Sequence, residues 1–491
     1  MAELMRRVVR AAEEGGRGDD GERRGEKDGN EDRESSSSLP AEDEGAVETW
    51  LSLAHSVAPL CQLAAVAKNE VVVMGSLKTS SDMVVVHGSD EIKVIQWVEI
   101  VQIANNTRST QAFLFVGCQT GLVIVYDRAG KVCFQQQFHD SCVQAFKARG
   151  GETTMDCTQD FLIIYSDNII VRLDASSLIS TFINQSGRLD ACKWKFTDRS
   201  SVNDAVCCGL DAQAQTSDFW GALYYKVLVA GHSPCLSVYA ACDEKNSYSA
   251  KEVLSKLTSA AFSVAKNLLW GSSSNEEKKE VSKDESNFAK SARAFDAFED
   301  PKRTVRSLFL DPSGRLCAAS DNLGRVLLVD VEEMTILRVW KGYREAQTAW
   351  TCLVDGGERD DVRHAESSTS SLTSERETSK TPAATEESAD QGLSVKAGDL
   401  CLFLYAPRRR ILEVWHNRSG HRIAVERLHH TTRILPIAIF YDQDGSSVID
   451  SEATENPSVP ATPGREGRRM ELVTLDSRGD VVCWWVERKV N

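Results

Sequence analysis

Two short stretches of the sequence set guanidinium groups beside large aromatic rings. One is RVWKGYREAQTAW (residues 338–350) and the other is LCLFLYAPRRRILEVW (residues 400–415). Arg, Trp and Tyr together are the residue types that anchor protein interfaces. The run Arg408, Arg409, Arg410 also offers planar donors suited to a carboxylate or a phosphate. The residues these stretches nominate for partner contact are Trp340, Lys341, Tyr343, Arg344, Tyr405, Arg408, Arg409, Arg410 and Trp415. A second use is open for each group. Trp340, Trp350 and Trp415 can fill grooves between structural repeats, and the Arg run can be a solvated turn.

Catalytic chemistry finds little to work with. The sequence has no phosphate-binding G-x-x-x-x-G-K-[ST] loop, no G-x-G-x-x-G, no G-x-S-x-G and no H-E-x-x-H. His429 and His430 are adjacent, so on a strand they face opposite sides and cannot chelate one ion. No C-x-x-C spacing occurs among the 14 cysteines, which argues against a zinc site or a redox pair. The reading is a binding protein and not an enzyme, with no catalytic residue, no metal and no cofactor.

The elements that must position those residues are strands. A turn residue, usually Gly, Asp or Asn, precedes four to six consecutive apolar residues, and a second turn signal follows. Short apolar runs bounded by turn residues read as strands covered on both faces. Seven copies occur: Gly88 into IKVIQW, Gly121 into LVIVY, Asn168 into IIVRL, Gly231 into CLSVY, Gly324 into RVLLV, Arg410 into ILEVW and Gly479 into DVVCWW. A repeated hairpin of this kind is the mark of a propeller blade, whose faces are covered by neighbouring blades. The predicted fold is therefore all-β, a WD-like β-propeller of seven blades with disordered insertions and one amphipathic helix. A β-sandwich followed by a second β domain also accounts for the strands, but not for the recurring phrase.

Charge separates the body from its insertions. The net charge of −15 is concentrated in residues 1–45, 275–300, 356–392 and 443–467, at −6, −3, −5 and −4, which leaves +3 on the rest. Those segments are rich in Ser, Thr, Gly, Glu and Asp and cannot bury enough apolar surface to offset chain entropy. The expected layout is a disordered acidic tail at 1–45 and a single propeller over 46–491. Insertions fall at 250–300, 356–398 and 443–468. No basic stripe interleaves with aromatics, so nucleic acid is not an expected partner. Scattered cysteines inside apolar runs and the lack of a signal peptide or an apolar span read as cytosolic.

One stretch breaks the β pattern. Residues 251–270, KEVLSKLTSAAFSVAKNLLW, place Val253, Leu254, Leu257, Ala261, Val264, Leu268 and Leu269 on one face of a helix and Ser and Lys on the other. Three uses are open: an interfacial membrane helix, a helix docked in a partner's groove, or a helix lying on the propeller's side. The membrane reading uses Leu254, Leu257, Phe262, Val264, Leu268, Leu269 and Trp270.

The phrases WKGYR-x-A-Q (residues 340–347) and YAPRR-x-x-LEVW (residues 405–415) resemble the N-terminal domain of the regulatory, non-catalytic subunit of the Rab-three GTPase-activating complex. The similarity covers residues 307–350 and 403–415, with fainter echoes in residues 227–234 and 256–274. That resemblance implies a propeller that heterodimerises with a catalytic GAP subunit, the pair acting on Rab GTPases in membrane trafficking. It implies that the catalytic arginine belongs to the other subunit, so Arg408 and Arg409 receive no catalytic role. It also implies a cytoplasmic protein peripheral on endomembranes (endoplasmic reticulum or Golgi). The resembled proteins continue well beyond the propeller, whereas this sequence ends at Asn491. A general trafficking scaffold without GTPase control is the alternative.

Overall fold

The computed structural model describes residues 53–79, 83–104, 107–149, 159–184, 189, 191–210, 223–243, 289–352, 354–355, 370–372, 400–442, 472–478 and 480–488. Among them the strands form seven antiparallel meanders arranged as the blades of a propeller. Blade one is Ala54–Ala58, Leu63–Lys68, Val71–Ser76 and Val84–His87; blade two is Ile92–Ala104, Thr107–Cys118, Leu122–Tyr126 and Val132–Gln137. Blade three is Val143–Arg149, Asp160–Tyr165, Ile169–Asp174 and Ala191–Lys195; blade four is Asp204–Leu210, Leu223–Ala230, Leu236–Asp243 and Arg293–Phe298. Blade five is Val305–Leu310, Leu316–Asp321, Arg325–Asp330 and Thr335–Lys341; blade six is Gln347–Cys352, Leu400–Ala406, Ile411–His416 and Arg422–Arg427. Blade seven is Thr432–Leu435, Leu472–Asp476 and Val481–Arg488.

The strands are continuous apolar runs because each blade is sandwiched between two others. Every residue of Asp160–Tyr165 is buried. The core falls into seven clusters, and each joins one pair of neighbouring blades. Trp97 meets Ala65 and Met74 between blades one and two. Phe115 meets Phe161 between two and three, ring centres 4.7 Å apart. Tyr239 and Trp194 fill the next gap, Leu308 and Leu228 the one after. Trp340 and Leu404 lie between five and six, and Phe403 with Ile434 between six and seven. Val57, Val66 and Val73 of blade one meet Leu435, Val473 and Leu475 of blade seven, which closes the ring.

The count of seven agrees with the sequence phrase, but the assignment differs, and the stretches expected as insertions at 250–300 and 356–398 contain strands: Arg293–Phe298 completes blade four, and Ser370–Leu372 pairs with blade seven. Gly88 and Gly121 lead into the first and third strands of one blade, the second. Blade one has no counterpart among the seven phrases. Its third strand, VVVMGS, follows Asn69 and ends without an aromatic or Asp. Gly479 lies outside the described residues.

One α-helix occurs among the described residues, α1 (Ala175–Phe182), between the third and fourth strands of blade three. The Asp174 carboxylate caps it by accepting from Ser177 N at 3.3 Å. Leu178, Ile179 and Phe182 bury into the cluster between blades two and three. The amphipathic segment 251–270 lies outside the described residues.

Strand direction divides the propeller into two faces. The turns from second to third strands and the connectors between blades share one face, and they are short. The other face carries the loops between first and second and between third and fourth strands.

Candidate partner-binding face

The two aromatic and cationic stretches meet on the short-turn face, between blades five and six. Residues 338–350 run from the last strand of blade five through the connector 342–346 into the first strand of blade six. Residues 400–415 form the second and third strands of blade six, joined by a 3-10 turn at Pro407–Arg409. The connector and the turn are therefore side by side. Gly342 N and Tyr343 N both donate to Gly324 O, at 2.8 and 2.9 Å, which pins the connector to blade five. Gly342 sits at φ 86°, a conformation that favours glycine.

The turn clamps onto the connector. Arg408 Nη2 donates to Glu345 Oε1 at 2.6 Å. Arg409 Nη2 donates to Gly342 O, and its guanidinium carbon lies 5.1 Å from the centre of the Tyr343 ring. Arg410 Nη1 donates to His429 O at 2.8 Å, reaching the connector to blade seven. Glu345 and Arg410 hold left-handed φ angles of 61° and 53°. Backbone of this kind persists only where neighbours enforce it.

Below the surface sits a carboxylate with three donors. Glu413 is 4% exposed. Its Oε2 accepts from Tyr343 Oη at 2.6 Å and from Trp415 Nε1 at 3.0 Å, and its Oε1 from Arg422 Nη1 at 2.9 Å. Burial, then the Glu413 carboxylate, raises the Tyr343 phenol above its ordinary value. Tyr405 Oη accepts from Thr432 N at 2.9 Å, and Gln347 Oε1 from Ile434 N at 2.6 Å, so both side chains tie blade six to blade seven.

The nine residues nominated from sequence thus divide by depth. Trp340, Tyr343 and Tyr405 are buried and Trp415 is half-buried. The aromatic rings serve the seams between blades: Trp340 and Trp415 meet at 5.7 Å, and Trp350 Nε1 donates to Phe309 O across the same seam. Lys341, Arg344, Arg408, Arg409 and Arg410 are all exposed. Exposed Arg306, in the first strand of blade five, extends this surface and was not nominated. The hydrogen bond from Arg408, with the charges of Arg408, Arg306 and Arg344, holds the Glu345 carboxyl below its ordinary value. No sequence signal links Arg306 to the motifs, because it enters from another strand. Leu254, Leu257, Phe262, Val264, Leu268, Leu269 and Trp270 lie outside the described residues.

Other polar side chains pair among themselves. The central channel holds a cavity of about 220 Å³. There Lys147 Nζ pairs with Asp204 at 2.8 Å and donates to Leu308 O at 3.1 Å. Arg172, in blade three, pairs with buried Asp160 and stacks 3.8 Å from the Tyr225 ring centre. Ser141 Oγ donates to Asp167 at 2.7 Å, and His139 Nε2 bonds the other oxygen of the same carboxylate. That geometry orients Asp167 and gives the serine no base. Among the described residues no group of His, Cys, Asp and Glu could hold a metal ion, and no helix is long and apolar enough to cross a membrane.

The fold defined by these strands is a seven-bladed β-propeller, with a cationic junction on its short-turn face. The family described as Rab3 GTPase-activating protein regulatory subunit N-terminus matches residues 50–435, and the chain belongs to that family. The match runs from just before blade one to the end of the first strand of blade seven, so both motifs lie inside it. Among solved structures the chain is similar to one titled as the crystal structure of the mitotic checkpoint complex, at 11% identity and a TM-score of 0.38, covering 87% of this chain and 84% of that one. The Dos1 propeller matches at 12% identity and a TM-score of 0.38, over 76% and 71% of the two chains. Raptor from Chaetomium thermophilum matches at 10% identity and a TM-score of 0.40, over 88% and 27%.

Proposed function

We propose that this chain is a non-catalytic subunit that heterodimerises with a catalytic GAP subunit, the complex acting on a Rab GTPase in membrane trafficking. The single observation that carries the reading is the convergence of both family-resembling motifs on one junction. Their buried halves lock blades five, six and seven together. Their exposed halves leave Lys341, Arg344, Arg408, Arg409 and Arg410 beside a lone carboxylate, Glu345. Fixed guanidinium groups on a rigid scaffold suit acidic side chains of a protein partner. The subunit supplies position, and the GTPase chemistry belongs to the partner. Residues 251–270 are the proposed membrane contact, through Leu254, Leu257, Phe262, Val264, Leu268, Leu269 and Trp270.

Co-purification with the catalytic GAP subunit of the same organism tests the contact, comparing wild type with Arg408→Glu/Arg409→Glu. The variant is expected to bind at least about tenfold more weakly, roughly 1.4 kcal/mol. Undiminished binding would remove the junction from the interface, and absence of any complex with wild type would favour the scaffold reading. Flotation with anionic vesicles, comparing wild type with Phe262→Glu/Leu269→Glu, tests the membrane contact; equal flotation of both would sink it.

A further inference from the structure

A second surface adjoins the cationic junction and calls for a different kind of contact. The outer strand of blade five, Thr335–Lys341, has the sequence TILRVWK. Ile336, Leu337 and Val339 are 40%, 54% and 39% exposed. No other outer strand among the described residues exposes more than one large apolar side chain. Val425 of blade six, for example, is flanked by Arg422, Glu426 and Arg427. The register shifts opposite Leu328 and Val329, so Leu337 is extra in the ladder and the consecutive residues Ile336 and Leu337 are both exposed.

An open edge strand presents unpaired backbone groups, and soluble proteins normally blunt such edges with charge or cover them. This chain covers two of its own. Lys290–Ser291 adds in parallel outside Ala191–Lys195 of blade three. Val354–Asp355 and Ser370–Leu372 add in parallel to Val481–Arg488 of blade seven. Blade five carries no added strand among the described residues, and its edge is the most apolar.

We infer that the outer edge of blade five takes an extended segment of a partner protein as a fifth strand. This deepens the subunit reading above and rests on it. Thr335–Lys341 contains two cations, Arg338 and Lys341, and no carboxylate, and Arg344 lies just beyond it. The segment that fits alternates apolar side chains, which cover Ile336, Leu337 and Val339, with carboxylates that meet the exposed Lys341 and Arg344. Backbone hydrogen bonds supply affinity in such strand addition, and the alternate side chains supply selectivity.

The test uses the full chain with the catalytic GAP subunit, by hydrogen exchange of backbone amides, and compares wild type with Leu337→Lys/Val339→Lys. Both substitutions lie on an exposed edge where Lys is well tolerated, and an unchanged thermal midpoint confirms folding. The expected result is slowed exchange at 335–341 in the complex and at least tenfold weaker binding by the variant. A complex without protection at 335–341, or one the variant forms equally well, overturns the edge proposal and leaves the subunit reading standing. No complex with wild type overturns both. Self-association of the chain alone that the variant abolishes would give the edge to a second copy and overturn the proposal.

Discussion

The junction between blades five and six depends on one buried carboxylate. An unpaired carboxylate at the depth of Glu413 would be strongly destabilising, because a buried ion must be paired and hydrogen-bonded. Its three donors are unequal. Tyr343 and Trp415 reach it from the seam, whereas Arg422 is 51% exposed and screened by water. Tyr343→Phe therefore removes an interior donor and is expected to cost about 1.5–3 kcal/mol, as for hydrogen bonds to charged groups. Arg422→Ala should cost less than about 1 kcal/mol. Urea denaturation of the two variants checks this order, and a reversed order would contradict it. The sequence showed the residue types of this site but not their depth. Trp and Tyr are equally apt as interface anchors and as core fillers, and only the blade seam decides between them. Glu413 was visible merely as one letter of a motif, since its donors stand at positions 343, 415 and 422 on separate strands and a connector.

At the scale of elements, the turn between second and third strands repeats a backbone demand around the ring. Asn69, Gly121, Asn168 and Gly324 meet it with positive φ, and in blade six Arg410 does so. Glycine and asparagine reach that region cheaply, and most other residues do not. Arg410→Gly is expected to leave stability within about 1 kcal/mol of wild type, because relief of the backbone offsets loss of the bond to His429 O. Arg410→Val should cost on the order of 1–2 kcal/mol more than the glycine variant, since a β-branched residue is worst placed there. Chemical denaturation midpoints separate the two, and equal midpoints would show that the turn carries no strain. This turn is also why much of the architecture was legible in the sequence: a φ-permissive residue followed by a doubly buried run recurs at Gly121, Asn168 and Gly324, in blades two, three and five. Helix α1 was not legible. ASSLISTF has few strong helix formers, and its helix is held by Leu178 and Phe182 docking among Phe113, Phe115 and Phe161, contacts that exist only after two blades stack.

At the scale of the whole molecule, the question is how the ring stays shut. Among the described residues, blades one and seven share no strand. Their joint is the apolar cluster around Val57 and Val473, helped by a crossing segment. After Leu435 the chain enters the channel, and Ala438–Tyr441 pairs in parallel with Val98–Val101 of blade two. Gln96 Nε2 donates to Pro436 O at 3.2 Å. Gln159 of blade three exchanges two 2.8 Å hydrogen bonds with the Tyr441 backbone. His55 lies in the first strand of blade one, with Arg433 of blade seven as its cationic neighbour. Its Nδ1 donates to Leu53 O at 2.7 Å, and its buried Nε2 has no hydrogen-bond partner. Burial, then the Arg433 charge, lowers its pKa from 6.5 to about 4. A base with a lowered folded-state pKa binds its proton more readily when unfolded. Its contribution is therefore complete above pH 6.5, declines as pH falls from 6.5 towards 4, and is gone below, a loss of roughly 3 kcal/mol at most. Thermal midpoints of wild type and His55→Gln between pH 7 and 4.5 check this. The carboxylates titrate alike in both proteins, so the difference between the two slopes isolates His55. Wild type is expected to lose stability more steeply on acidification. Parallel slopes would mean that the seam accepts a charged His55 and that ring closure does not depend on its neutrality.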